Sequence, residues 1–119
     1  MFGHWEANFK IDKTKYGFVY VITNQLNGKK YIGCKVFWFR RGKKVKESDW
    51  ASYQGSNRAL QADIAKHGKD KFKFFIIKLC DSKQDLSYSE VKEIIAQNAI
   101  YSPEYYNEYV GLRLRNKKT

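Results

Sequence analysis

A chain of 119 residues, with 43% hydrophobic residues and a single proline, has material for one compact core and too little length for two conventional domains. Its 23 Lys and Arg against 12 Asp and Glu give a net charge of +11, which points to a polyanionic partner. The longest apolar run, Phe74 to Ile77, falls far short of the roughly 20 residues a bilayer span needs, so the reading is a soluble, cytoplasmic protein with no membrane partner.

Residues 1–16 place His4, Trp5 and Phe9 among polar residues without a period, and are expected to pack loosely over the rest. Phe18 to Thr23 is a β-branched and aromatic run, Asn27-Gly28 is a turn dipeptide, and Lys30 to Lys35 starts a second strand. A two-residue Asn27-Gly28 turn would set Tyr20 opposite Lys35 and Asn24 opposite Tyr31. Tyr20, Ile22, Tyr31, Gly33 and Lys35 then share one face.

Positions 36–54 carry no helical period. Phe37, Trp38 and Phe39 lie against Arg40, Arg41, Lys43, Lys44 and Lys46, and the stretch reads as a projecting loop or ribbon suited to nucleic acid. With Lys35 these five cations form the candidate nucleic-acid-binding set, joined by Arg113, Arg115, Lys117 and Lys118 in a basic tail at 108–119. Gly55-Ser56 is expected to cap a helix of about three turns bearing Leu60, Ile64 and His67 on one stripe and stopping at Gly68. Phe72 to Cys80 is apolar on both alternations, as in a central strand, with Phe74 and Ile76 on one face and Phe75, Ile77 and Leu79 on the other. Leu86 to about Asn98 forms a second helix with Tyr88, Val91, Ile94 and Ile95 as its apolar stripe. Cys34 and Cys80 have no metal-ligand spacing and read as reduced, inert thiols rather than a zinc site or a disulfide. The sum is one α+β domain, a small three-stranded antiparallel sheet flanked by helices.

Gly17-Phe18-Val19-Tyr20, followed eleven residues after Tyr20 by Tyr31-Ile32-Gly33, resembles the paired tripeptides of the GIY-YIG nuclease family, with the first tripeptide altered to Phe-Val-Tyr. Asp49 to Ser56, Tyr88 to Glu93 and Tyr105-Tyr106-Asn107 extend the likeness toward the phage-type homing branch, over about residues 16–107. The resemblance implies a metal-dependent DNA endonuclease, of homing or nicking type, acting on double-stranded DNA as a monomer or weak homodimer. One Mg²⁺, replaceable by Mn²⁺, would sit on Glu90, with Glu93 as the rival carboxylate. By pattern alone, Ser87-x-x-Glu90 favours a capping box over a metal ligand, and the tyrosines fit ordinary strand packing.

By the same resemblance Tyr20 is the base that deprotonates water and Tyr31 its orienting partner, although an unperturbed phenol near pKa 10 is a poor base at neutral pH. Arg58 would face the scissile phosphate, with Arg40, Arg41 or Lys35 as alternatives, and Asn107 would orient the phosphate or a tyrosine. A non-catalytic nucleic-acid-binding module on the same scaffold, or a structure-specific repair nuclease, are the competing readings.

Overall fold

A computed structural model of the chain describes residues 3–110; the basic positions Arg113, Arg115, Lys117 and Lys118 lie outside them. The elements in order are β1 (Trp5–Glu6), β2 (Gly17–Asn24), β3 (Lys30–Val36), β4 (Trp38–Arg41), β5 (Lys44–Glu47), α1 (Arg58–His67), β6 (Phe72–Cys80) and α2 (Lys83–Ala96). The main sheet has the order β1-β6-β2-β3, and β4-β5 form a separate two-stranded ribbon. The α+β class holds, but the sheet is four-stranded and mixed rather than three-stranded and antiparallel, because β1 pairs parallel to β6.

Trp5 is what brings that strand in. Its indole packs edge-on against Phe18 and Phe74 and donates to the backbone oxygen of Trp50, while His4 stacks on Phe74. A tryptophan gains far more by burial than a loose N-terminal segment would allow, so the expectation of loose packing there is wrong.

The β2-β3 hairpin closes through Gln25 to Gly28, not through a two-residue turn: Asn24 N–H donates to Lys29 O at 2.8 Å and Gly28 N–H to Asn24 O at 2.7 Å. The side chains of Asn24 and Asn27 accept from the backbone of Leu26 and Lys29, and Gly28 supplies the positive φ that ends the loop. Tyr20 therefore pairs with Gly33, and Tyr31 with Ile22. The register moves by two residues, which preserves the strand parity, so Tyr20, Tyr31, Gly33 and Lys35 keep their common face.

Each sheet face carries its own core. Phe18, Tyr20, Ile22, Phe74 and Ile76 pack with Leu60 and Ile64 of α1, whereas Val19, Ile32 and Cys80 pack with Leu86 and Ile94 of α2. A bulge where Val19 meets Lys78 and Tyr20 meets Ile76 reverses the alternation of β6. Leu79 consequently joins the face of Phe74 and Ile76, not that of Phe75 and Ile77.

Helix boundaries also differ from expectation. Asn57 caps α1, accepting from Leu60 N–H at 2.9 Å, so Gly55-Ser56 lies just before the cap, and His67 is exposed. Ser82 caps α2 by accepting from Asp85 N–H, which places Ser87 and Glu90 inside the helix and removes the capping-box reading. The buried stripe of α2 is Leu86, Ser89, Val91 and Ile94, while Tyr88 and Ile95 are 49% and 66% exposed.

Candidate active site

The free edge of β3 organises the site. Along it runs the 104–107 segment: Lys30 N–H donates to Glu104 O, Tyr106 N–H donates to Lys30 O, and the ladder then passes to a side chain. The Asn107 amide accepts from Ile32 N–H at 3.0 Å and donates to Ile32 O at 2.8 Å, both in buried surroundings. It occupies the place of another strand residue and satisfies the edge.

A cavity of about 410 Å³ wraps around this edge, lined by Tyr31, Ser56, Asn57, Arg58, Glu90 and Asn107 among others. Tyr31 reaches it from the α1 face of the sheet and Glu90 from α2 on the opposite face. The cavity thus gathers groups that a sheet interior would keep apart.

Glu90 lies one helical turn after Leu86 and one before Ile94, in the middle of the buried stripe. Burial raises its carboxyl above the ordinary value, an effect that the Cys34 thiol, donating to it from β3, partly opposes. No Lys or Arg of the described residues forms an ion pair with it. The Cys34 thiol is itself pushed up to about 12, first by burial and then by the neighbouring Glu90 charge. Glu93 falls elsewhere, beside a separate groove between the sheet and the C-terminal half of α2, with its carboxylate accepting from Gln97.

Tyr31 places its hydroxyl 3.2 Å from Ser56 Oγ, and burial raises its phenol while that hydrogen bond opposes the rise. Tyr20 is only 1% exposed, does not line the cavity, and burial lifts its phenol well above the ordinary value. Its hydroxyl lies over Gly33: a β-carbon built there would come 2.3 Å from that oxygen. The two tyrosines lie one behind the other, with ring centroids 6.3 Å apart and planes tilted by 47°, Tyr31 at the cavity wall and Tyr20 beneath.

Arg58 opens α1, is exposed, and forms no ion pair with an acid among the described residues. The N-terminus of α1 faces the same cavity through Ser56 and Asn57, a partial positive charge added to the guanidinium. Lys35 shares the face of Tyr20 but is held away from the cavity, 2.7 Å from Asp49 and 4.0 Å from the centre of the Tyr53 ring. Asp49 is correspondingly held below the usual carboxylate range. Arg40, Arg41, Lys43, Lys44 and Lys46 all sit on the β4-β5 ribbon and its turn, outside the cavity lining.

Of the residues expected from sequence, Tyr31, Arg58, Glu90 and Asn107 meet at one cavity, with Tyr20 directly behind. The sequence reading did not place Ser56 and Asn57 at the cavity, nor Cys34 against Glu90. For Glu90 a signal was available: a carboxylate at i+4 from one buried apolar residue and i−4 from another is out of place in a purely structural stripe.

A family model described as "Putative endonuclease segE, GIY-YIG domain" matches residues 3–110. The chain is 37% identical over 96 residues to "Putative endonuclease segE" of Enterobacteria phage T4, covering 81% of this chain and 42% of that protein. It is 32% identical over 97 residues to "Putative endonuclease segC" of the same phage, covering 82% and 44% respectively. The chain therefore spans less than half the length of these relatives, and no solved structure matches it. With the model match running over nearly the whole chain and through every residue of the cavity, this chain belongs to the GIY-YIG family.

Proposed function

We propose that this domain is a metal-dependent DNA endonuclease of phage homing or nicking type, hydrolysing one phosphodiester bond of double-stranded DNA at each site inside the infected cell. The observation that carries the reading is the convergence of Tyr31, Arg58, Glu90 and Asn107, from four separate segments, on one cavity of about 410 Å³. The net charge of +11 suits the substrate.

Family membership implies a divalent cation. The described residues contain no cluster of three or more His, Cys, Asp or Glu able to cage a metal, but they do offer Glu90, half-buried and without a cationic partner. That donor set fits Mg²⁺, with Mn²⁺ as substitute, since such an ion keeps several waters and takes other oxygens from the substrate phosphate. Glu90 would hold the ion, whose chemistry there would be charge neutralisation at the phosphate and acidification of water.

Arg58 and the amides opening α1 hold two non-bridging oxygens and oppose the charge that builds on the pentavalent phosphorus. Tyr31, at the cavity wall, orients the attacking water. Its phenol is raised and therefore neutral, so it takes the water's proton only while passing its own through Ser56 to solvent, as the new P–O bond forms and the leaving oxygen departs and is protonated from solvent. Tyr20, buried and reluctant to ionise, supports Tyr31 from beneath instead of meeting the water itself. Asn107 fixes the β3 edge and so the position of Tyr31. A single site cuts one strand, and a double-strand cut requires two domains or two visits.

Supercoiled plasmid conversion by wild type and Glu90→Gln, each with Mg²⁺ and with EDTA, tests the proposal. Nicking by wild type only with metal, and a Glu90→Gln variant that binds but does not cut, are the expected results. Binding without cleavage of linear, supercoiled or branched DNA in any metal would favour a non-catalytic binding module instead. Cleavage confined to branched DNA would favour the structure-specific repair reading.

A further inference from the structure

The β4-β5 ribbon is a built element whose two faces differ in chemistry. Its pairs are Trp38 with Glu47, Phe39 with Lys46, Arg40 with Val45 and Arg41 with Lys44. Opposed residues share a face, so Trp38, Arg40, Val45 and Glu47 lie on one side and Phe39, Arg41, Lys44 and Lys46 on the other. The first side turns to the loop before β2: Trp38 Nε1 donates to Lys13 O at 2.7 Å, and Lys13 Nζ lies 3.2 Å from Glu47. Fully buried Phe37 anchors the root, and Ser48 N–H donates to its carbonyl.

Nothing among the described residues pairs with the three cations of the second side. All four strand residues on each half of the ribbon are exposed, including Phe39, and Gly42 at φ +66° permits the tight turn that presents Lys43 at the tip. The result is a fixed prong with one cationic, aromatic surface.

We propose that the Phe39, Arg41, Lys44 and Lys46 face of this ribbon enters the major groove of the substrate duplex, with its cations against the phosphates that border the groove and Phe39 against the base edges. The proposal deepens the nuclease reading and rests on it for the duplex substrate. A major groove about 12 Å wide admits a two-stranded ribbon, whereas a minor groove about 6 Å wide does not admit one undeformed. From Ile32 beside the cavity to Gly42 at the tip is ten residues, at most about 33 Å of extended chain. That is below the 34–36 Å or so of one helical turn, so the stretch of groove entered lies within about ten pairs of the cut.

The test compares two arginines that differ only in face. Using the full chain with Glu90→Gln, binding to a 40-base-pair duplex is measured across salt for the parent, Arg40→Ala, Arg41→Ala and Phe39→Ala. Losing one phosphate contact lowers the log–log salt slope by about 0.9. The expected result is that loss for Arg41→Ala, far less for Arg40→Ala, and for Phe39→Ala a weaker complex with unchanged slope. Methyl green, which fills the major groove, should displace the protein, and the minor-groove ligand netropsin should not.

Equal slopes for the two arginine variants, no weakening by Phe39→Ala, or displacement by netropsin alone would overturn the proposal. Plasmid nicking by the protein with Glu90 intact is run beside it. Nicking with indifferent ribbon faces sinks the ribbon and leaves the nuclease reading standing; the expected face dependence without nicking does the reverse.

Discussion

Gly33→Ala probes the contact on which the depth of the tyrosine pair depends. Gly33 has ordinary strand backbone in the β3 ladder, so alanine meets no conformational objection, and the whole effect must come from the new methyl. An ideal β-carbon there lies 2.3 Å from the Tyr20 hydroxyl oxygen, 2.5 Å from Cζ and 3.0 Å from Cε1. The far end of an exposed side chain would simply swing aside. The Tyr20 ring cannot, being fully buried among Trp5, Phe18, Tyr31 and Tyr53. Overpacking of this kind costs about 1–3 kcal/mol, which for a domain of this size lowers the melting temperature by roughly 4–15 °C.

Gly28→Ala is the matched control. Its β-carbon meets nothing within 4 Å, but its φ is +78°, so only backbone strain applies, about 1–2 kcal/mol. Thermal melts and plasmid nicking on both variants separate the two effects: Gly28→Ala loses stability and keeps its activity per folded molecule, whereas Gly33→Ala loses both because Tyr31 is displaced. Tyr20→Phe does not rescue Gly33→Ala, since Cζ remains at 2.5 Å. Gly33→Ala melting and cleaving like wild type would refute the account of Tyr20 holding Tyr31 from beneath.

Three further outcomes follow from the site. Burial raises the Glu90 carboxyl above its unfolded value, so between those values the folded chain holds the extra proton and stability falls as pH rises; metal-free Glu90→Gln should melt above wild type at pH 7.5, a gap that closes below about pH 4, and an equal gap at both pH values contradicts this. Removing the Asn107 amide leaves the buried Ile32 N–H and C=O without their partner, so Asn107→Ala should lose about 1–3 kcal/mol in a denaturant titration and cut poorly even when folded; undiminished activity per folded molecule would confine Asn107 to stability. With its thiol pushed up to about 12, Cys34 should resist thiol reagents at pH 8 until the protein unfolds and react faster in Glu90→Gln, whose neutral side chain no longer repels the thiolate; rapid labelling of the native protein would show that Cys34 is not held against Glu90.

Local chemistry was enough to place β2, β3, α1, β6 and α2, because hydrophobic period and turn residues act over a few positions. It was also enough for the shared face of Tyr20 and Tyr31, since the parity of a strand survives a two-residue error in the loop. Of the basic, aromatic 36–54 stretch expected to project, only the 38–47 ribbon does so, while Phe37 and Trp50 pack in the core; Glu90 and Arg58 were legible as candidates through the family resemblance. Three features were decided only by tertiary structure. β1 joins the sheet because Trp5 finds an aromatic pocket made by β2 and β6, residues distant in sequence. The β6 bulge reverses the side of Leu79, which no alternation count can foresee because it arises from pairing with β2. The cavity exists because β3 is an edge strand, and only around an edge can Tyr31 from one face, Glu90 from the other and the Asn107 amide meet. Which strand becomes the edge depends on the order of the whole sheet, a property of long-range packing that no single stretch of the sequence encodes.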